Sequence, residues 1–464
     1  MRTNAAVTIP LPRVLTSAFF PYTGLVVAIA LFFGGGARQG LASDALVELA
    51  ALPLFAWTLF RLLPSRLDQA GRWGLILLAA IVALPVLQLI PFPPALWTAL
   101  PGRAKFAAGY DVAGMSLPWL PISLDPAGTW RSLLALIPGV AVFLAMLSLD
   151  HRERRKLVTL LLSAAFLAVL VGFLQIMGAD GLYFYAVTNE GMAVGFFANG
   201  NHNATFLACA IPFAAASAIG SFSKRERDTV AIAFKVILLA VLVVGVAIVG
   251  SRAGLGLGFA AGVMCIAMAY RNETRGGRRI LPIALAGFVV AALIAVQFGL
   301  AGWDKRNVQE RDILSDLRWQ IAGTTLKAAQ SYLPFGSGLG TFQPIYELSS
   351  PRTQVFDRYV NHAHDDWLEL SLEGGLPALA VLGGFLAWLC MACWRAWRDP
   401  GAHGLDQNFA RAGSIAVLLP LLHSTVDYPL RSIAMMVVVA VSCGFLVRSS
   451  RSEPLNGEAI TGES

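Results

Sequence analysis

Apolar residues run through this chain in long blocks rather than in alternation with polar ones. Stretches such as VILLAVLVVGVAIV (236–249) and AMMVVVAVSCGFLV (434–447) hold almost nothing that prefers water. About 20 mostly apolar residues let a helix cross the hydrocarbon of a bilayer. Read that way, the blocks predict twelve spans, at about 15–34, 44–63, 73–90, 129–149, 157–176, 203–221, 230–249, 253–270, 280–300, 367–394, 411–427 and 432–447. The expected fold class is all-α: a polytopic transmembrane bundle formed by residues 1–447 as a single domain. The Ser/Gly/Glu-rich tail, 448–464, is expected to lack fixed structure.

The polar connections between the blocks alternate in charge. One set carries Arg2, Arg13, Arg61, Arg66, Arg72, HRERRK (151–156), KRER (224–227), RNETRGGRR (271–279), Arg395, Arg398, Arg448 and Arg451. Outside one long loop, the other set has only Arg38, Arg103, Lys105, Arg131, Arg252 and Arg431. Cationic short loops stay in the cytoplasm, so both termini are expected there. Two sizeable connections then face outward. The first, 91–128, is proline-rich, with Trp97 and Trp119 suited to the headgroup zone. The second, 301–366, far exceeds the usual connection length and so invites a functional reading. Within it, Leu317, Ile321 and Thr324 or Thr325 recur at helical spacing behind Ser315 as an N-cap, which predicts an amphipathic helix near the outer membrane surface.

Composition confirms the class and narrows the partners. The chain is 56% hydrophobic and 14% charged, with a mean hydropathy of +0.65, which excludes an ordinary soluble domain. A net charge of +7 is accounted for by topology, so the bilayer and not nucleic acid is the expected partner. All five cysteines lie in apolar segments, which argues against a disulfide framework, and the CxxC of Cys390 and Cys393 reads as helix packing. No cleavable signal peptide is expected, since the first apolar segment lacks a small-x-small site.

Polar chemistry gathers on the outward side. His202, His362, His364 and His423 fall there, whereas His151 and His403 fall on the other. His364 stands just before a helix N-terminus that Asp365 or Asp366 can cap. The helix dipole disfavours its imidazolium and the aspartates favour it, so it is either a general base or a histidine that only hydrogen-bonds a loop. Arg252, in GSRAGLGLG (250–258), has almost no loop to carry it into water. It either snorkels or makes an anion site, where a guanidinium can hold a phosphate bidentately. Arg318 is a second candidate of that kind. FGSGLGTF (335–342) has no strand–turn–helix context, so its glycines are expected to turn the backbone toward the membrane. Asn199, Asn201, His202 and Asn203 stand where a span begins and either cap it or bind sugar hydroxyls. His423 and Asp427, four apart, share one helical face as a structural or functional pair.

Taken together, FFANGNHNA (196–204), SRAG (251–254), LRWQ (317–320), PFGSGLGTF (334–342), HAHDDWLELSLEGGLPAL (362–379) and HSTVDYPL (423–430) resemble the O-antigen ligase and Wzy-type polymerase superfamily of bacterial envelope proteins. The resemblance covers roughly residues 75 to 445, and the order of the motifs matches as well. It implies a GT-C-like bundle of the inner membrane that takes a glycan from undecaprenyl pyrophosphate. The glycan passes, on the periplasmic face, to a hydroxyl of lipid A-core, of another lipid-linked glycan, or of a protein. It also implies no metal and no cofactor. The family histidine falls on His364, although Asp365 stands where asparagine is common, and the family arginines fall on Arg252 and Arg318. Substrate contacts are expected from Asn199, Asn201, His202, His362, Asp365, Asp366, His423 and Asp427. LQLIPFPPALW (87–97) and PISLDPAGTWRSLLALIPG (121–139) favour the ligase branch over polymerase or protein oligosaccharyltransferase. A transporter of lipid-linked glycan is the non-enzyme alternative, disfavoured because charges within spans are few and no internal repeat is evident.

Overall fold

A computed structural model of the protein describes residues 13–38, 40–62, 67–222, 228–271, 305–351, 360–398 and 404–447. They form an all-α bundle with one two-stranded ribbon. The long helices are α1 (Arg13–Phe33), α2 (Ala42–Leu62), α3 (Gln69–Gln88), then, after a connection holding α4 (Pro94–Trp97) and α5 (Ala104–Val112), α6 (Pro126–Ser148), α7 (His151–Ile176), α8 (Gly200–Phe222), α9 (Thr229–Val249) and α10 (Arg252–Arg271). After α11 (Lys305–Tyr332) and α12 (Phe342–Ser349), the chain re-enters the bundle through α13 (Asp366–Arg398), α14 (Leu405–His423) and α15 (Ile433–Phe445).

Eight of the described helices are long and apolar enough to cross a membrane: α2, α3, α6, α7, α8, α9, α10 and α13. Two shorter apolar helices, Ser17–Phe33 and α15, match the first and last expected spans. The expected span at 280–300 lies outside the described residues, as does His403. The span expected at 411–427 is corrected: α14 runs from Leu405 to His423.

Burial separates a lipid-facing shell from a packed centre. In α8, 83% of the apolar stretch is buried, against 28% in α9, so α8 is the axis on which α9, α10 and α14 pack. Small residues permit the close approach: a Cβ on Gly254 of α10 would stand 2.5 Å from the Cβ of Ala204 in α8, the pattern expected of helices associating in lipid. Outside, Phe60, Ile76, Phe234, Ile237 and Phe259 are exposed, as side chains solvated by acyl chains would be. Helix ends follow ordinary capping. Asp150 and Glu153 close a capping box on α7, Asp68 caps α3, and Gly250, at φ 73°, ends α9 two residues before Arg252.

The two long connections fold against each other at one end of the bundle. In the first, β1 (Pro91–Phe92) pairs antiparallel with β2 (Leu120–Pro121). Trp97 is buried there, its indole donating to the Pro118 carbonyl at 2.9 Å. It is therefore a core residue of the connection, not the headgroup anchor expected, whereas Trp119 is exposed. In the second, the helix predicted from Ser315 begins at Lys305, so Ser315 lies inside it rather than capping it. Of the predicted positions, Ile321, Thr324 and Thr325 are buried and Leu317 is half-buried, and Ala328, Ala329 and Tyr332 extend the buried face. Ile321, Ala328, Ala329 and Tyr332 make a second small core with Phe342, Ile345, Tyr346, Ala363 and Leu372. Buried Arg103 ties the two connections by donating to the carbonyls of Ile122 and Gly336, and burial lowers its guanidinium to about 10.

Candidate functional site

Helix α13 is broken at Gly375 (φ 56°, ψ −152°), a conformation open essentially to glycine alone. A break inside a span frees carbonyls that lipid cannot satisfy. The glycine segment satisfies them: Ser337 N–H donates to the Leu372 carbonyl at 3.0 Å, Gly338 N–H to that of Glu373 at 2.8 Å, and Leu376 N–H to Pro334 at 2.8 Å. Gln88 of α3 completes the knot, giving its amide hydrogen to the Glu373 carbonyl and accepting from Leu339 N–H. The turn expected of FGSGLGTF is present, with Gly336, Gly338 and Gly340 all at positive φ. The segment thus fixes the first turns of α13 and everything they carry.

Those turns present Asp366, Glu369 and Glu373 to one guanidinium. Arg431 lies 3.3 Å from Asp366, 3.4 Å from Glu369 and 2.8 Å from Glu373, each carboxylate being buried. Burial opposes the charge on Arg431, but the three carboxylates outweigh it and hold the guanidinium protonated well above its ordinary value. Asp366 also accepts from the Ser424 hydroxyl at 2.7 Å, while Asp365 caps α13 through the N–H groups of Trp367 and Leu368. Burial raises the Asp365 carboxyl above its usual range. Glu369 reaches back to His362, with Nδ1 at 2.8 Å, and to Ala363 N–H.

The histidines gather around Tyr428. Its ring centroid lies 4.3 Å from that of His362, 4.9 Å from His202 and 5.0 Å from His364. Asn199 and Asn361 bond its hydroxyl. One residue before it, Asp427 is buried and shared. Asn201 donates to one oxygen at 2.6 Å, His423 Nε2 stands 3.8 Å from the same oxygen, and His364 Nδ1 lies 3.4 Å from the other. His423 in turn pairs through Nδ1 with the Thr205 hydroxyl at 2.6 Å. The His423–Asp427 pair stands, although α14 ends at His423 and Asp427 belongs to the turn beyond it. Burial alone would raise the Asp427 carboxyl; the hydrogen bond from His364 and the charges of His202, His364 and His423 outweigh it and hold the carboxyl below its usual range.

Exposure separates the four imidazoles. The His364 side chain is 26% exposed, against 7% for His362 and 1% for His423, and His202 is fully enclosed. His364 is therefore the most exposed of the four. With Nδ1 turned to Asp427, its Nε2 is left as the free ring nitrogen. Arg318, exposed on α11, stands at the rim, 3.4 Å from the Val426 carbonyl. Arg252 opens α10 beside the start of α8 and is exposed. Among the described residues it makes no hydrogen bond or ion pair, with this cluster or elsewhere. The structure thus joins Asn199, Asn201, His202, His362, His364, Asp365, Asp366, His423 and Asp427 in one network, sets Arg318 beside it, and leaves Arg252 at the same end of the bundle without contact.

Sequence reasoning passed over Arg431, Glu369, Glu373 and Tyr428. A signal existed: Asp366, Glu369 and Glu373 are spaced i, i+3, i+7, an acidic stripe within an apolar helix that demands a buried cation. Among the described residues no group of His, Cys, Asp and Glu is arranged to hold a metal.

Residues 236–383 match the family model described as O-antigen ligase (Wzy_C). The matched stretch takes in Arg252, Arg318, the glycine segment and His362 to Asp366, and ends before His423 and Asp427. No curated protein sequence matches the chain. The matched stretch runs from α9 through the long connection into α13, so this part of a multi-pass, all-α membrane protein is similar to the O-antigen ligase family.

Proposed function

We propose that the protein is an inner-membrane glycosyltransferase of the O-antigen ligase type, which moves a glycan from undecaprenyl pyrophosphate to an acceptor hydroxyl, lipid A-core being the preferred acceptor. The observation that carries this reading is His364: the most exposed imidazole of the cluster, backed by a buried carboxylate and facing a rim that bears a guanidinium. Nε2 of His364 takes the proton of the acceptor hydroxyl as its oxygen attacks the anomeric carbon. The carbon–oxygen bond to pyrophosphate breaks, and the pyrophosphate leaves with the electron pair. One displacement inverts the anomeric carbon. Asp427 stabilises the imidazolium that forms, and Arg318 and Arg252 meet the charge growing on the leaving group. A polyprenyl tail stays in the bilayer while its phosphates lie at the headgroup boundary, which explains why titratable groups are arrayed where spans begin. On the positive-inside reading this end is periplasmic.

Purified protein incubated with a lipid-linked repeat unit, with and without lipid A-core, tests the reading. His364→Ala is expected to slow transfer about 10²–10⁴-fold, and Arg318→Ala or Arg252→Ala about 10²–10³-fold. Wild-type transfer by His364→Ala would remove the general base from the scheme. Core-capped product marks a ligase; ladders formed without core mark a polymerase.

A further inference from the structure

The opposite end of the bundle holds a polar cavity that the transfer reaction does not use. It has a volume of about 800 Å³ and lies among the starts of α3, α7 and α14 and the ends of α13 and α15. That size suits a small-molecule or headgroup site. Arg154, in the first turns of α7, lines it although only 2% of the residue is exposed. One guanidinium nitrogen of Arg154 donates to the last carbonyls of α15 and its exit, Gly444 at 3.0 Å and Val447 at 2.7 Å. The other two, Nε and Nη2, have no partner among the described residues. A buried charged donor left unpaired costs on the order of 1–3 kcal/mol or more, so such an arrangement implies that something anionic or water-bearing meets it.

Asp406, Asp68 and Asp150 act on Arg154 through space, but among the described residues none accepts a hydrogen bond from its Nε or Nη2. The cavity's two carboxylates are already engaged. Asp406 is held bidentately by Arg155 at 2.8 and 2.7 Å, with His151 Nδ1 at 3.5 Å, and Asp68 accepts from Gly71 N–H at 2.8 Å as the cap of α3. Arg395 and Arg398, on the last turn of α13, line the same cavity and are exposed. Arg395 has no hydrogen-bond or ion-pair partner among the described residues. Arg398 lies 4.5 Å from the ring centroid of Trp394, itself 59% exposed, which is the habit of an aromatic side chain at a bilayer boundary. A buried guanidinium with two free donors, two further arginines and an interfacial tryptophan make a phosphate-shaped site at headgroup level.

We propose that this cavity binds a phosphate ester, with Nε and Nη2 of Arg154 as its buried contact and Arg395 and Arg398 as its outer ones. The ester comes either from the headgroup of an anionic phospholipid in the adjoining leaflet or from a soluble phosphate. Occupancy pins α7, α13 and α15 together at the end remote from His364, without touching the transfer chemistry.

The test uses the full chain, purified in neutral detergent and stripped of lipid, with thermal unfolding followed at constant ionic strength. Short-chain phosphatidylglycerol is expected to raise the midpoint saturably, by about 2–4 °C, while short-chain phosphatidylcholine does not. The double variant Arg395→Gln/Arg398→Gln is expected to need at least tenfold more phosphatidylglycerol for the same shift. Arg154→Gln is expected to lose the shift altogether, and if that variant loses its fold the exposed pair decides. Inorganic phosphate producing the shift in the same concentration range assigns the site to a soluble anion; a response confined to phosphatidylglycerol assigns it to lipid. Equal shifts with phosphatidylcholine, or a double variant that responds as wild type, overturn the proposal.

Discussion

Among the described residues, His364 is the only one other than glycine held at positive φ, at 53°. Such a conformation costs about 1–3 kcal/mol and persists where the surroundings over-determine it, commonly at functional sites. Here the surroundings are the Tyr428 ring and the Asp427 carboxylate, which together aim the imidazole outward. Asp427 is thus both an orienting group and a store of pH-dependent stability. Its carboxyl is lowered in the folded protein, so its contribution is fully present above the unfolded value of about 3.9 and is lost as pH falls below that toward the folded value. Asp427→Asn is expected to destabilise the protein at neutral pH by about 1.5–3 kcal/mol, the worth of hydrogen bonds to a charged acceptor. The gap between wild type and variant should narrow as pH falls below about 4, as read by thermal unfolding from about pH 8 to 3. A gap unchanged below about pH 4 would show that Asp427 is not held ionised in the folded protein. The histidines and Asp427 were legible in the sequence because each is a titratable group at the edge of an apolar block. Tyr428 was not, since an aromatic residue beside a proline at a span end carries no mark of what packs on it.

At the level of elements, the site depends on a helix that does not run straight. The apolar block at 367–394 reads as one uninterrupted span, and neither Gly374 nor Gly375 announces a break, because single glycines are common in membrane helices. What identifies Gly375 is its partner: a Cβ there would stand 2.2 Å from the Pro334 carbonyl oxygen and 2.7 Å from Gly336 N. That contact joins positions about forty residues apart and could be seen only in the fold. The same holds for Arg431, whose three carboxylates were visible as a stripe but whose approach depends on the turn after α14. Gly375→Ala is expected to lower stability by at least about 2 kcal/mol and to reduce transfer by displacing Glu369, His362 and the cap at Asp365. Gly383→Ala, in the regular part of the same helix with nothing within 4 Å of its added Cβ, is the matched control and should match wild type or gain slightly. Equal thermal midpoints for the two variants would show that the break is not a fixed feature.

Across the whole molecule, the two ends of the bundle differ in kind. One is closed by two folded connections over a cluster of imidazoles and carboxylates; the other opens on arginines. The alternation of cationic loops was readable along the chain because membrane insertion acts on charge before any tertiary contact forms. The mutual packing of the described parts of the two long connections was not, since it rests on Arg103 and on glycine backbones rather than on a repeated pattern. On the positive-inside reading the charge asymmetry puts the histidine end outward, and the proposed transfer requires His364 to face that side. In a background lacking the five cysteines, Glu347→Cys marks the histidine end and Arg152→Cys the arginine end, both side chains being exposed. With right-side-out membrane vesicles, an impermeant maleimide is expected to label Glu347→Cys directly and Arg152→Cys only after lysis. The reverse pattern would put His364 and Arg318 on the wrong side of the membrane for their proposed substrate, however well the cluster itself is built.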